Sequence, residues 1–266
     1  MYLINGQPQN TLPVNDRAIQ FGDGCFTTAS VVDGTVRFQA DHLRRLRQAC
    51  ETLTIAPVDW GRLNEEMTML AASESRAVLK VIISRGAGGR GYSASNCTQP
   101  TRILSISPYP AFYPAWREQG VTLALSPVRL GINPALAGIK HLNRLEQVLI
   151  RTHLEQTEAH EALVLDSEGS LVECCAANLF WRKRYDVYTP RIDGAGVNGT
   201  MRQRIMSYLN DSPWRVREVS EGPEILADAD EVIICNALMP IVPVNQAQTW
   251  RYTSRELYYF LAPLCE

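Results

Sequence analysis

Side-chain amines are scarce in this chain. Of its 26 lysine and arginine residues only three are lysine: Lys80, Lys140 and Lys183. Chemistry that needs a nucleophilic primary amine therefore has three candidates. Lys183 lies in the charge run Arg182-Lys183-Arg184, a solvated stretch. Lys80 lies in a strand-like run, Leu79-Lys80-Val81, and is expected to face solvent. Lys140, in Ala137-Gly138-Ile139-Lys140-His141, stands directly before a predicted helix, beside small and apolar residues. Two readings fit that position. One is an ordinary surface lysine at a helix start. The other is an amine drawn out of water, where burial disfavours the ammonium and frees the nucleophile.

Glu173 is the matching acid. It sits in the strand-like run Leu171-Val172-Glu173-Cys174-Cys175, among small and apolar neighbours. A partly buried carboxylate needs a cationic partner. Here that is either one of the many arginines or a protonated pyridine nitrogen. Gly196-Val197-Asn198-Gly199-Thr200-Met201-Arg202 reads as a loop entering a helix, where free N–H groups can hold a phosphate, although most such starts bind nothing. Arg85 to Tyr92 is glycine-rich, with Gly86, Gly88 and Gly91 at dinucleotide-fingerprint spacing. A strand precedes it but no helix clearly follows, so a loop that clamps a carboxylate through Arg90 and Tyr92 fits better, against the plain alternative of a long hairpin loop. The four histidines form no metal motif, and no nucleophile elbow is present.

These residues need a scaffold, and the period of the apolar residues predicts an α/β (α+β) one. Tyr2 to Asn5 reads as a short strand. Phe26 to Val32, Asp33-Gly34 and Thr35 to Phe38 read as a hairpin. From Asp41 the period becomes helical, and Leu63, Met67 and Leu70 mark a second helix. Strands are predicted at 77–84 and 102–107. Prolines and aromatics at 109–119 suggest a linker, dividing a small N-terminal domain (1–108) from a larger C-terminal one (120–266). In the second half, strands are predicted at 121–126, 161–166, 171–175, 178–182, 187–189 and 231–235. Helices are predicted at 141–156, with Leu142, Leu145, Leu149 and His153 on one face, from Gly199, and at 254–261. Residues 236–243 read as a loop.

Composition narrows the class. At 266 residues, 45% hydrophobic and 20% charged, the chain is an ordinary globular protein. A net charge of −2 gives no basic surface for nucleic acid. No apolar run is long enough for a membrane span and the N-terminus is not a signal peptide. Seven cysteines without metal spacing suit a reducing cytoplasm.

In chain order these segments resemble the fold type IV enzymes of pyridoxal 5′-phosphate, the class IV aminotransferase family. Glu173, then Asn178-Leu179-Phe180, Val187-Tyr188-Thr189 and Val197-Asn198-Gly199-Thr200-Met201-Arg202 carry a long pattern similar to the family signature. Thr200 departs from it, standing where an aliphatic residue is usual. The resemblance implies a two-domain fold whose larger domain surrounds a barrel-like sheet. It implies that Lys140 carries the cofactor and Glu173 faces its pyridine nitrogen. Arg45 would grip the phosphate together with backbone groups of Thr200 and Met201. Asn236 and Ala237 match the last phosphate contact, where a threonine hydroxyl is common and alanine leaves only its amide or the Asn236 side chain. Further similarity, in Asp16 to Thr28, Ser84 to Tyr92, Gly138 to Arg144 and Cys235 to Pro240, is to the members that convert 4-amino-4-deoxychorismate to 4-aminobenzoate and pyruvate in folate biosynthesis. Those members carry a hydroxyl next to the lysine at the position of Thr28, which would make Thr28 a catalytic residue, relaying a proton or positioning Lys140. The alternative is an aminotransferase acting on D- or branched-chain amino acids. A homodimer is also implied.

Overall fold

The computed structural model describes residues 1–266, which divide into two compact units. One is Met1–Pro110 with Lys140–Asn143; the other is Ala111–Ile139 with Arg144–Glu266.

The first unit is built on a six-stranded antiparallel sheet. Its elements are β1 (Tyr2–Ile4), β2 (Gln7–Pro8), α1 (Arg17–Phe21), β3 (Gly24–Val32), β4 (Thr35–Val36), α2 (Gln39–Thr52), α3 (Trp60–Ala71), β5 (Arg76–Ser84) and β6 (Thr101–Pro108), with strand order β2-β1-β6-β5-β3-β4. Along β3 the pleat turns Cys25, Thr27, Ala29 and Val31 inward, where all four are buried. Phe26 and Thr28, on the opposite face, are half-buried. Asp33 and Gly34 both take positive φ, 46° and 74°, as a two-residue hairpin turn with right-handed twist requires. On α2 the buried stripe is His42, Leu46, Ala49 and Cys50, at helical spacing.

The second unit carries α4 (Tyr113–Gln119), β7 (Val121–Leu125), α5 (Leu145–Leu154), β8 (Glu161–Leu165), β9 (Leu171–Cys174), β10 (Asn178–Lys183), β11 (Asp186–Pro190), α6 (Thr200–Asn210), β12 (Arg215–Val219), β13 (Glu231–Cys235), β14 (Val242–Ala247), β15 (Trp250–Arg251) and α7 (Glu256–Leu261). Its nine strands form one mixed sheet, ordered β12-β11-β10-β13-β14-β7-β8-β9, with β15 on β14. Edge strand β9 runs straight into inner strand β10 through a turn closed by the Cys174 N–H on the Ala177 carbonyl, 2.7 Å. A sheet whose edge lies that close to an inner strand must curl, and its inside holds Leu163, Leu179, Ile234 and Val242, all fully buried. No helix is long and apolar enough to cross a membrane.

Three readings change. Residues 109–119 are no bare linker: Pro114, in the first turn of α4, lacks only an N–H that the helix leaves unused, and Tyr113 and Trp116 pack on the C-terminal core. The helix predicted from His141 begins at Leu145, because the backbone of 140–142 pairs with β3 instead. The Phe26 N–H donates to the Lys140 carbonyl (2.9 Å) and the Leu142 N–H to that of Gly24 (3.0 Å). Its buried residues are Ile150 and Leu154, whereas Leu145 and Leu149 face outward. Lastly, the expected loop at 236–243 ends in a strand, because β7 pairs with β14 only from Val244 onward and leaves Pro243 no ladder bond to make on that side.

Candidate active site

In the first unit the chemistry gathers on β3. Lys140 is fixed by the strand-like backbone bonds of 140–142, not by a helix start. Its ammonium lies 4.8 Å from the centre of the Phe26 ring, within cation–π range. Lys80 lies 5.1 Å from the same ring, so two of the three lysines share it. Thr28 follows Phe26 by two residues, hence on the same face, and is paired in register with Lys80. Lys80 is solvent-exposed, as its sequence context predicts. Lys183 is exposed and pairs with Asp228 at 3.0 Å.

Behind that face, Arg45 reaches from α2 to β3, where an Nη1 N–H donates to Thr27 Oγ1 at 3.4 Å. Burial pulls its pKa down to about 10, against the pull of nearby Cys25, so it stays a cation at neutral pH. Arg44 is exposed and pairs with Asp41 at 2.8 Å. Arg90 and Tyr92 do not join this group. Arg90 is exposed and Tyr92 is 90% exposed, its ring resting on Phe21. Their loop is held by Arg17, buried on α1, which donates to the carbonyls of Gly91, Tyr92 and Ser93 and pairs with Asp23 at 2.8 Å.

In the second unit Glu173 is buried on β9. It accepts the Val197 N–H at 2.8 Å and faces the Gln147 amide at 3.5 Å. Its charge is felt by Arg144, whose pKa burial lowers while Glu173 and Glu146 oppose the change. The loop that supplies Val197 is tightly built. Gly196, at φ +83°, leaves no room for a side chain, since a Cβ there would lie 2.4 Å from Val172 Cγ1. Gly138, two residues before Lys140, exchanges backbone bonds with this loop: its N–H donates to the Gly196 carbonyl (2.9 Å) and its carbonyl accepts from Asn198 (3.1 Å). Gly199 then precedes α6, so the Thr200 and Met201 amides open a helix whose first turn holds no acidic side chain. Arg202 braces this start by donating to Asn198 Oδ1 at 3.0 Å.

The Asn236 side chain is committed within its own loop. Its oxygen accepts from Leu238 and Met239, both at 2.8 Å, and its NH₂ donates to the Ala176 carbonyl. Asn236 therefore shapes the loop, and Ala237 has its amide to offer. Glu161, buried on β8, supports the same turn by accepting from Ala176 N–H at 3.0 Å. Burial raises its pKa to about 7 against those amide donors.

Residue patterns did not single out Phe26, Thr27, Gln147 or Arg144. The alternation along β3 separates Phe26 from Thr27, but the partners of Phe26, Lys80 and Lys140, come from segments far away in sequence, and those of Thr27, His42 and Arg45, from the following helix.

The amino-transferase class IV family matches residues 24–247, and the chain belongs to that family. It is 39% identical to the aminodeoxychorismate lyase of Vibrio harveyi over 245 residues, 92% of this chain and 90% of that one. It is 29% identical to a putative branched-chain-amino-acid aminotransferase of Methanocaldococcus jannaschii, over 87% of this chain and 81% of that one. Among solved structures it superposes on 4-amino-4-deoxychorismate lyase from Pseudomonas aeruginosa with a TM-score of 0.93 at 36% identity, covering 99% and 98% of the two chains.

Proposed function

We propose that this chain is a pyridoxal-phosphate-dependent lyase that converts 4-amino-4-deoxychorismate to 4-aminobenzoate and pyruvate. The observation that carries the reading is its 39% identity, over nine-tenths of both chains, to an enzyme of that name.

The donor set suits the cofactor. A phosphate needs cations and N–H donors, and Arg45 with the amides of Thr200, Met201 and Ala237 provides both. A ring nitrogen that carries a proton needs a buried carboxylate, and Glu173 is one, kept in place by Val197. An aldehyde carbon needs an amine, and Lys140 is the lysine fixed on the inner strand. The family resemblance assigns these residues to one cofactor.

When bound, pyridoxal phosphate supplies a carbon that the substrate amine can occupy and a ring that accepts electrons. Lys140 would be the base that takes the proton from the amine-bearing ring carbon of the substrate. The C–O bond on the adjacent carbon then breaks, pyruvate leaves as its enol form, and the substrate ring becomes aromatic. Thr28, on the Phe26 face of β3, either passes a proton toward the departing group or keeps Lys140 in position. Arg90 and Tyr92 are assigned to the substrate carboxylates.

The outward stripe of α5 supports a homodimer. Leu145, Val148 and Leu149 are 78%, 58% and 53% exposed, an apolar strip at helical spacing. Seven free thiols suit a cytoplasmic location.

The test incubates cofactor-loaded protein with aminodeoxychorismate and no amino acceptor. Equal yields of 4-aminobenzoate and pyruvate, lost in Lys140→Ala, are expected. No product from loaded protein overturns the lyase reading, and half-transamination with D- and L-amino acids then examines the aminotransferase.

A further inference from the structure

Two buried polar side chains of the first unit have no part in the chemistry above. Thr27 is 0% exposed and His42 is 1% exposed. Thr27 Oγ1 lies 2.6 Å from His42 Nδ1, and it also accepts from Arg45 Nη1 at 3.4 Å. A hydroxyl has one proton and two lone pairs. One lone pair is turned to the guanidinium, and the proton or the second lone pair meets the imidazole Nδ1, so the hydroxyl is held from both sides.

The local geometry follows from the sequence. His42 and Arg45 are three residues apart on α2, so they share a helix face. Thr27 is an inward residue of β3, the strand that α2 covers. The three side chains are thus connected in series, imidazole to hydroxyl to guanidinium.

We infer that His42 and Thr27 are positioning residues for the anion grip of Arg45: the imidazole orients the hydroxyl, and the hydroxyl orients the guanidinium toward the cofactor phosphate. This rests on the reading of Arg45 as a phosphate ligand.

The experiment titrates cofactor-free protein with pyridoxal phosphate and, separately, with pyridoxal, which lacks the phosphate. Binding is followed by absorbance and by quenching of tryptophan fluorescence. Thr27→Val and His42→Phe are each expected to raise the Kd for pyridoxal phosphate about tenfold, the scale of one hydrogen bond to a charged group. Their Kd for pyridoxal stays unchanged. Thr27→Ser, which keeps the hydroxyl, and His42→Asn, which puts an amide oxygen in place of Nδ1, restore most of the loss. An equal loss for both ligands, or an unchanged Kd for pyridoxal phosphate, overturns the relay. Arg45→Gln is the control. If it fails to separate the two ligands, the phosphate role of Arg45 falls and the relay falls with it. The two arms are independent, so the His42 variants decide the matter if Thr27→Val does not fold.

Discussion

The loop that holds Glu173 makes a sharp quantitative claim at Gly196. Its φ is +83°, a conformation that costs an L-residue roughly 1–2 kcal/mol. A Cβ there would also lie 2.4 Å from Val172 Cγ1 and 3.4 Å from Glu173 Oε2. Val172 is buried in β9 and has little room to move. Relieving an overpacked contact of this kind costs about 1–3 kcal/mol. Gly196→Ala is thus expected to destabilise the protein by roughly 2–5 kcal/mol. At about 2–4 °C per kcal/mol for a chain of this class, that is a melting shift of roughly 5–20 °C. The control is Gly91→Ala. Its φ is also positive, +56°, but nothing lies within 4 Å of the added carbon, so only the backbone term applies. Urea unfolding of both variants measures the difference. A Gly196→Ala protein as stable as Gly91→Ala would refute the reasoning, because it would mean that the loop relaxes freely around Glu173. The same shift moves the Val197 amide from the carboxylate, so cofactor affinity is expected to fall with stability.

Three further outcomes follow from the same geometry. Glu173→Gln keeps an acceptor for the Val197 amide but loses the negative charge; kcat should drop roughly ten- to hundredfold, the worth of one charged hydrogen bond, while urea stability stays within about 1 kcal/mol of the parent. Glu161 has its pKa raised from 4.5 to about 7 by burial, so its contribution is full below about pH 4.5 and is lost as the pH rises through 7. That loss is about 3 kcal/mol, and the unfolding free energy of Glu161→Gln, followed from pH 4 to 8, should lack this slope. Val148→Asp combined with Leu149→Glu places two charges on the outward stripe of α5; on the proposed homodimer, light scattering should report the parent as a dimer and the double variant as a monomer, and a dimeric double variant would remove α5 from the proposed interface.

What the sequence made legible follows the physics of each signal. β3, the Asp33-Gly34 turn, α2 and the strands of the C-terminal sheet announce themselves through periodicity and turn chemistry, which are local. Lys140 was legible as the amine of interest because lysine is so rare here. The reason for its placement was not. The run 140–142 has the composition of a helix start, and only its pairing with β3, more than 100 residues earlier, makes it extended. The apolar stripe of α5 left its own direction open for a related reason. Leu145 and Leu149 repeat at helical spacing as core residues do, yet the helix buries Ile150 and Leu154 instead. Periodicity detects an apolar face but cannot say whether the covering surface belongs to the same chain.

The two departures from the family pattern have a common explanation. Thr200 and Ala237 differ from the usual side chains, but the phosphate contacts assigned there run through backbone amides, which every residue except proline supplies. What such a site requires of the sequence is the path of the backbone. That path is set elsewhere. Gly199 and the Arg202 guanidinium on Asn198 shape the start of α6, and the Asn236 side chain with Glu161 shapes the second loop. A substitution at Thr200 or Ala237 that keeps the amide should therefore matter less to cofactor affinity than one at Arg202, Asn236 or Glu161, although Arg202 and Glu161 are assigned no contact with the cofactor and the Asn236 side chain is bonded within its own loop.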